Sequence, residues 1–216
     1  MKHSITKLLA ACICAAAGLG TAQAQDQDLK VGMILPLSGP FASTGQQMFN
    51  GAGLYLKEHG DTVAGRKIVL INKDDTGVSP AISKRQAQNL LIQDKAEILA
   101  GFGLTPGAFS VAPLATEAKV PMIVLNAATS SITEKSPYIV RTSMTLPQVA
   151  APMATWAAAN GIHKVYIAVA DYGPGHDAAA QFKKTFTQAG GEVIGEVNTP
   201  LTSPDFAPFL QKIKDA

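Results

Sequence analysis

Strand-length apolar runs alternate with helix-length segments along almost the whole chain, and this pattern restricts the fold more than any other feature. The runs are Leu29 to Leu37, Lys67 to Asn72, Glu97 to Phe102, Val120 to Asn126, Tyr138 to Thr142, Lys164 to Ala170 and Glu192 to Asn198. Several are apolar almost throughout, as expected of strands covered on both faces. Between them, helices are predicted over Gly45 to Glu58, Ser79 to Gln93, Thr105 to about Lys119, Gln148 to Asn160, Gly175 to Ala189 and Asp205 to Asp215. Ser79-Pro80 and Thr105-Pro106 each join a hydroxyl N-cap to a proline at the first helical position, while His59-Gly60 and Ala189-Gly190-Gly191 are stops. The β-α-β-α order implies an α/β fold with parallel sheets and right-handed crossovers.

Residues 1–24 stand apart. Lys2 and Lys7 make a positive start, Leu8 to Gly20 is apolar, and Ala22-Gln23-Ala24 has the form of a signal-peptide cleavage site. Leu9-Ala10-Ala11-Cys12 also has the form of a lipobox, but only Leu8 to Ala11 would precede that cysteine, so cleavage to a soluble product is the expectation. Cys12 and Cys14 both lie in this leader, which leaves the mature part without a disulfide, thiol chemistry or a cysteine-ligated metal. Two of the 18 basic residues go with the leader and none of the 16 acidic ones, so the mature net charge is zero and gives no electrostatic case for nucleic acid. No later run reaches the roughly 18 apolar residues of a membrane span.

In open α/β sheets, ligands sit beyond the carboxyl ends of the strands. Those ends here are Ser38 to Thr44, Gly103-Leu104-Thr105, Asn126 to Thr129 and Asp171-Tyr172-Gly173, mostly hydroxyls, amides and small residues. The Ser38-Gly39-Pro40-Phe41 break between the first strand and helix puts backbone N–H groups at the sheet edge. Thr105 has two readings: a plain N-cap, or a hydroxyl at a helix N-terminus that holds a carboxylate, with Gly101 and Gly103 allowing close approach of a ligand. Asn126 to Ser131 reads equally as a polar loop, Tyr172 as a turn residue or a ring closing over a ligand, and Phe41 as a core anchor. Asp74 and Asp75 suggest a metal at first sight, but no histidine joins them, and a strand-end turn with capping acids is the expectation. Arg141 reads as an anion clamp or as the partner of an acid. There is no G-x-S-x-G, H-E-x-x-H, Walker loop or full G-x-G-x-x-G.

Pro36-Leu37-Ser38-Gly39-Pro40-Phe41-Ala42, with Gly51, Asp74-Asp75, Gly101, Asp171-Tyr172-Gly173 and Asp205-Phe206, resembles the leucine/isoleucine/valine-binding type of periplasmic solute receptor, the substrate-binding proteins of ABC importers. The resemblance runs from about Leu29 to Ala216. It implies the type I fold, with two doubly wound parallel-sheet lobes: residues 25–142 as lobe one, 143–147 as hinge, and 148–216 as the start of an incomplete lobe two. The chain therefore resembles the front part of a longer protein. It further implies ligand contacts at Ser38, Phe41, Phe102, Gly103, Leu104, Thr105, Asn126, Ala127, Ala128, Thr129 and Tyr172. Thr105 would bind a carboxylate and Tyr172 would cover the ligand. An ungapped match puts Ala128 where the family has Thr, one place before Thr129. The bulky aromatic that several amino-acid receptors carry in the first loop is Thr44 here, and the family's acid for an amino group would lie beyond Ala216. Phe102 and Leu125 to Thr129 are similar to members that take up aromatic acids.

The implied function is a non-enzymatic periplasmic receptor that delivers an amino acid or aromatic acid to ABC permease subunits. It would work as a monomer, without cofactor, metal or nucleic acid. A sensor or receptor ectodomain of the same fold is the alternative. An enzyme is a third, which lacks any nucleophile, base or metal set.

Overall fold

The computed structural model describes residues 28–202 and 205–216. The expected leader, with its cleavage site and both cysteines, lies outside the described residues. The first unit comprises β1 (Leu29–Leu35), α1 (Ala42–His59), β2 (Thr62–Val63), β3 (Arg66–Asp74), α2 (Pro80–Ile92), β4 (Ile98–Gly101), α3 (Thr105–Ala118), β5 (Met122–Val124) and β6 (Ile139–Arg141). The second comprises α4 (Leu146–Ala159), β7 (Lys164–Ala170), α5 (Gly173–Gln188), β8 (Glu192–Thr199) and α6 (Ala207–Lys214).

The first sheet has the order β2-β3-β1-β4-β5-β6 and is parallel except for β2 against β3. Successive connections therefore leave β1 in opposite directions, toward β3 and toward β4. That reversal opens a crevice at the carboxyl ends of the central strands. β7 and β8 form a separate parallel pair.

The near-continuous apolarity of β1 has its expected cause. Ile34 packs on one face with Leu90, Leu99, Val111, Met122 and Val124, beneath α2 and α3. Met33 and Leu35 face the other way, against Met48, Phe49 and Ala52 of α1. Ser79 caps α2 as predicted, accepting a hydrogen bond from the Ile82 N–H, with Pro80 just inside the helix.

Several boundaries differ from expectation for local reasons. β1 ends at Leu35, because the next residues turn to meet Asp74, whose Oδ1 accepts from the Leu37 N–H at 2.8 Å. α1 starts at Ala42, three residues early, running on from a 3-10 turn at Gly39–Phe41. The two-residue β2, unforeseen, pairs antiparallel with the start of β3. α4 begins at Leu146, inside the stretch expected to be hinge, because Thr145 and Gln148 form a capping box there.

Candidate functional site

The turn after β4 sets the site. Gly101 has φ +112°, and a Cβ there would lie 2.2 Å from the Ile34 carbonyl oxygen, so only glycine fits. Phe102 follows at φ +65°. Left-handed backbone costs a non-glycine residue roughly 1–2 kcal/mol. Burying the ring completely returns about 1.5–3 kcal/mol, so the turn holds with Phe102 in the core beside Leu99, Val111 and Ile132. The chain then presents Gly103, Leu104 and Thr105 at the mouth of the crevice.

A cavity of about 290 Å³ lies there. Its walls are Gly103, Leu104 and Thr105 after β4, Asn126, Ala127 and Ala128 after β5, and Ser143 and Met144 after β6. Leu146 and Val149 of α4, and Tyr172 and Pro174 at the start of α5, close it from the second unit. Among the described residues, no charged one lines it. The first turns of α3, α4 and α5 all reach it, and each carries the partial positive charge of a helix N-terminus. One of those donors is already used, since the Leu146 N–H donates to the Ala128 carbonyl at 3.2 Å. An uncharged cavity at converging helix N-termini suits a small anion.

Thr105 is the first residue of α3, not its N-cap; Leu104 holds that position and makes no side-chain cap. The Thr105 hydroxyl instead meets the Thr129 hydroxyl at 2.8 Å in a buried pair. Asn126 Nδ2 donates to the Gly103 carbonyl at 2.8 Å and braces two walls together. Burial pushes the Tyr172 phenol up from its ordinary value, so it stays a neutral hydroxyl, and it has no hydrogen-bond partner among the described residues.

Of the candidate residues named from the sequence, Gly103, Leu104, Thr105, Asn126, Ala127, Ala128 and Tyr172 line this cavity together. Four do not. Phe102 points into the core, against the expectation that it faces a ligand. Thr129 sits one layer behind Thr105. Ser38 belongs to the exposed turn that hydrogen-bonds Asp74. Phe41 lies against Gly77, whose Cβ would stand 3.2 Å from the ring.

Asp74 and Asp75 are turn-capping acids. Asp74 Oδ1 accepts from the N–H groups of Leu37 and Thr76, and Asp75 accepts from the Gly77 N–H and the Ser83 hydroxyl. Arg141 departs from both of its readings: its guanidinium donates to the carbonyls of Thr129 (2.6 Å) and Ser130 (3.3 Å), and among the described residues it neither pairs an acid nor lines the cavity. Ser143, Met144, Leu146, Val149 and Pro174 were missed. The strand-end rule, applied to the run ending at Thr142, points to the first two; the helix residues give no signal until the second unit is seen against the first.

Two α/β units, the first a doubly wound parallel sheet, with a small cavity where they meet, have the architecture of the type I periplasmic-binding fold. The sequence matches the periplasmic binding protein family over residues 28–216, and the chain belongs to that family. It is 44% identical over 210 residues to the Leu/Ile/Val-binding protein homolog 6 of Brucella abortus (strain 2308), a match that takes in 97% of this chain and 54% of the relative. The chain thus spans about half the length of the curated relatives it matches. The solute-binding protein of an ABC transporter from Rhodopseudomonas palustris BisB5, solved in complex with 3,4-dihydroxybenzoic acid, is 56% identical with a TM-score of 0.84, over 88% of this chain and 52% of that one. An R. palustris solute-binding protein solved in complex with 4-hydroxybenzoate is 51% identical with a TM-score of 0.85, over 88% and 51% of the two chains.

Proposed function

We propose that this protein is a non-enzymatic periplasmic receptor of an ABC importer, and that its solute is a small aromatic carboxylate of the hydroxybenzoate type. The observation that carries the choice of solute is the lining of the cavity. Leu104, Met144, Leu146 and Val149 offer apolar walls to a ring, with Thr105 and Asn126 as polar groups beside them. The two hydroxybenzoate-bound proteins, similar over most of this chain, support the same reading.

In this reading the carboxylate lies at the N-terminus of α3, taking hydrogen bonds from the Thr105 hydroxyl and backbone N–H. Tyr172 covers the ring from the second unit. Its neutral hydroxyl is free to bond a ring hydroxyl. Closure of the two units over the solute then gives the permease a shape to recognise.

Calorimetry on the 216-residue chain tests this. 4-Hydroxybenzoate and 3,4-dihydroxybenzoate are expected to bind at one site, and more tightly than leucine. Thr105→Val is expected to weaken hydroxybenzoate binding roughly ten- to a hundredfold, the loss of a hydrogen bond to a charged group. Leucine binding more tightly than either acid, or a Thr105→Val variant of unchanged affinity, would overturn the reading.

A further inference from the structure

The Thr129–Ser130 turn belongs to the first unit, yet its polar groups reach the second. Ser130 donates both its N–H (2.6 Å) and its hydroxyl (2.9 Å) to Asp177 Oδ2. Asp177 lies on α5, about one turn beyond Tyr172 and Pro174, which face the cavity. Beside this bond the two units touch closely: a Cβ at Gly173 would stand 2.4 Å from Thr129 Oγ1. The turn is also anchored within its own unit, by Arg141 on the carbonyls of Thr129 and Ser130 and by the hydroxyl pair of Thr129 with Thr105. An unbroken series of contacts therefore joins Thr105 at the cavity to Thr129, Ser130, Asp177 and, along α5, Tyr172.

We propose that Asp177 is a positioning residue that fastens α5 to the Thr129–Ser130 turn, holds Tyr172 and Pro174 over the cavity, and so sets how long a solute is retained without touching it. The inference rests on the reading of the cavity as the solute site. Two donors converge on one carboxylate oxygen, which fixes both distance and direction. The bond is exposed, so it adds little to the stability of the fold. What it governs is the placement of one unit against the other. The same turn also orders the cavity hydroxyl: when Thr129 donates to Thr105, the Thr105 proton is left to donate toward the anion. Gly173 permits this seating, since any side chain there would wedge α5 away from Thr129.

Two measurements on the 216-residue chain test the inference. The first is amide hydrogen exchange at Ser130 without ligand, and the second is stopped-flow dissociation of 4-hydroxybenzoate. Asp177→Ala is expected to speed Ser130 exchange and ligand dissociation each by roughly tenfold, the low end for losing a hydrogen bond to a charged group. Association rate and thermal midpoint should stay unchanged. Asp177→Asn keeps an acceptor oxygen and should recover most of the loss. Gly173→Ala should speed dissociation through the wedge alone.

Ser130 exchange that is the same in Asp177→Ala and wild type overturns the clasp. Faster exchange with unchanged dissociation overturns its role in retention. A wild-type chain that binds none of the acids overturns the solute reading instead, and the exchange rate then decides the clasp by itself.

Discussion

Asp74 and Asp75 are chain neighbours with opposite electrostatics. Burial opposes ionisation of Asp74, but hydrogen bonds from Ser38, Thr76 and Leu37 together outweigh it and hold the carboxyl below the usual aspartate range. Burial dominates at Asp75 and pushes its carboxyl up, against the bonds from Ser83 and Gly77 and with the Asp74 charge adding to the rise. The linkage signs follow. Asp74 contributes stability above its usual value, and loses it as pH falls through the lowered folded value. Asp75 contributes most when protonated, below its usual value, and that contribution is lost as pH rises through the raised folded value. Asp74→Asn should therefore cost about 1 kcal/mol at neutral pH, a net hydrogen-bond contribution discounted for exposure, with the deficit fading toward acid. Asp75→Asn should gain on wild type as pH rises from acid to neutral. Urea midpoints measured across that range check both signs, and parallel profiles for the two variants would contradict them.

At the scale of elements, the glycines separate packing from propensity. Gly101 ends β4 at a positive φ against the Ile34 carbonyl, so Gly101→Ala should destabilise by at least about 3 kcal/mol. Gly51, inside α1 with nothing within 4 Å of an added Cβ, should respond in the opposite direction, gaining roughly 0.5–1 kcal/mol as alanine. Denaturant unfolding of the two variants reads both, and a shift of the same sign in each would count against the assignment. This contrast also shows why the sequence was only partly legible. Strand-length apolar runs revealed β1 and β3 to β8, and Ser79-Pro80 marked the start of α2, because those signals are local. The direction of Phe102 was not local: its φ and the pocket waiting for its ring in the core sent it away from the crevice. Thr105 shifted by one place for a similar reason, since the hydroxyl that would have capped α3 found Thr129, which is 24 residues on. Leu146 and Val149 reach the cavity only because the second unit docks there.

Along the chain, the two units are unequally covered among the described residues. The first unit buries its sheet on both faces, while β7 and β8 form only a pair, and among the described residues the outer edge of β7 bonds no other strand. Beside β7 runs an apolar trough of about 370 Å³ between α4 and α5, lined by Val149, Met153, Val165, Ile167 and Phe182 among others. A free strand edge flanking bare apolar surface is a template for another chain. The 216-residue chain should self-associate as its concentration rises, visible as a growing sedimentation coefficient, and a value independent of concentration would argue against the trough as a contact surface. Leu146 and Val149 line both the trough and the cavity, so a substitution at either would confuse association with binding. Met153 lines the trough alone and is 57% exposed. Met153→Lys should therefore suppress association by setting a charge on the apolar face, while hydroxybenzoate affinity stays within about twofold of wild type, as for a surface change away from a site.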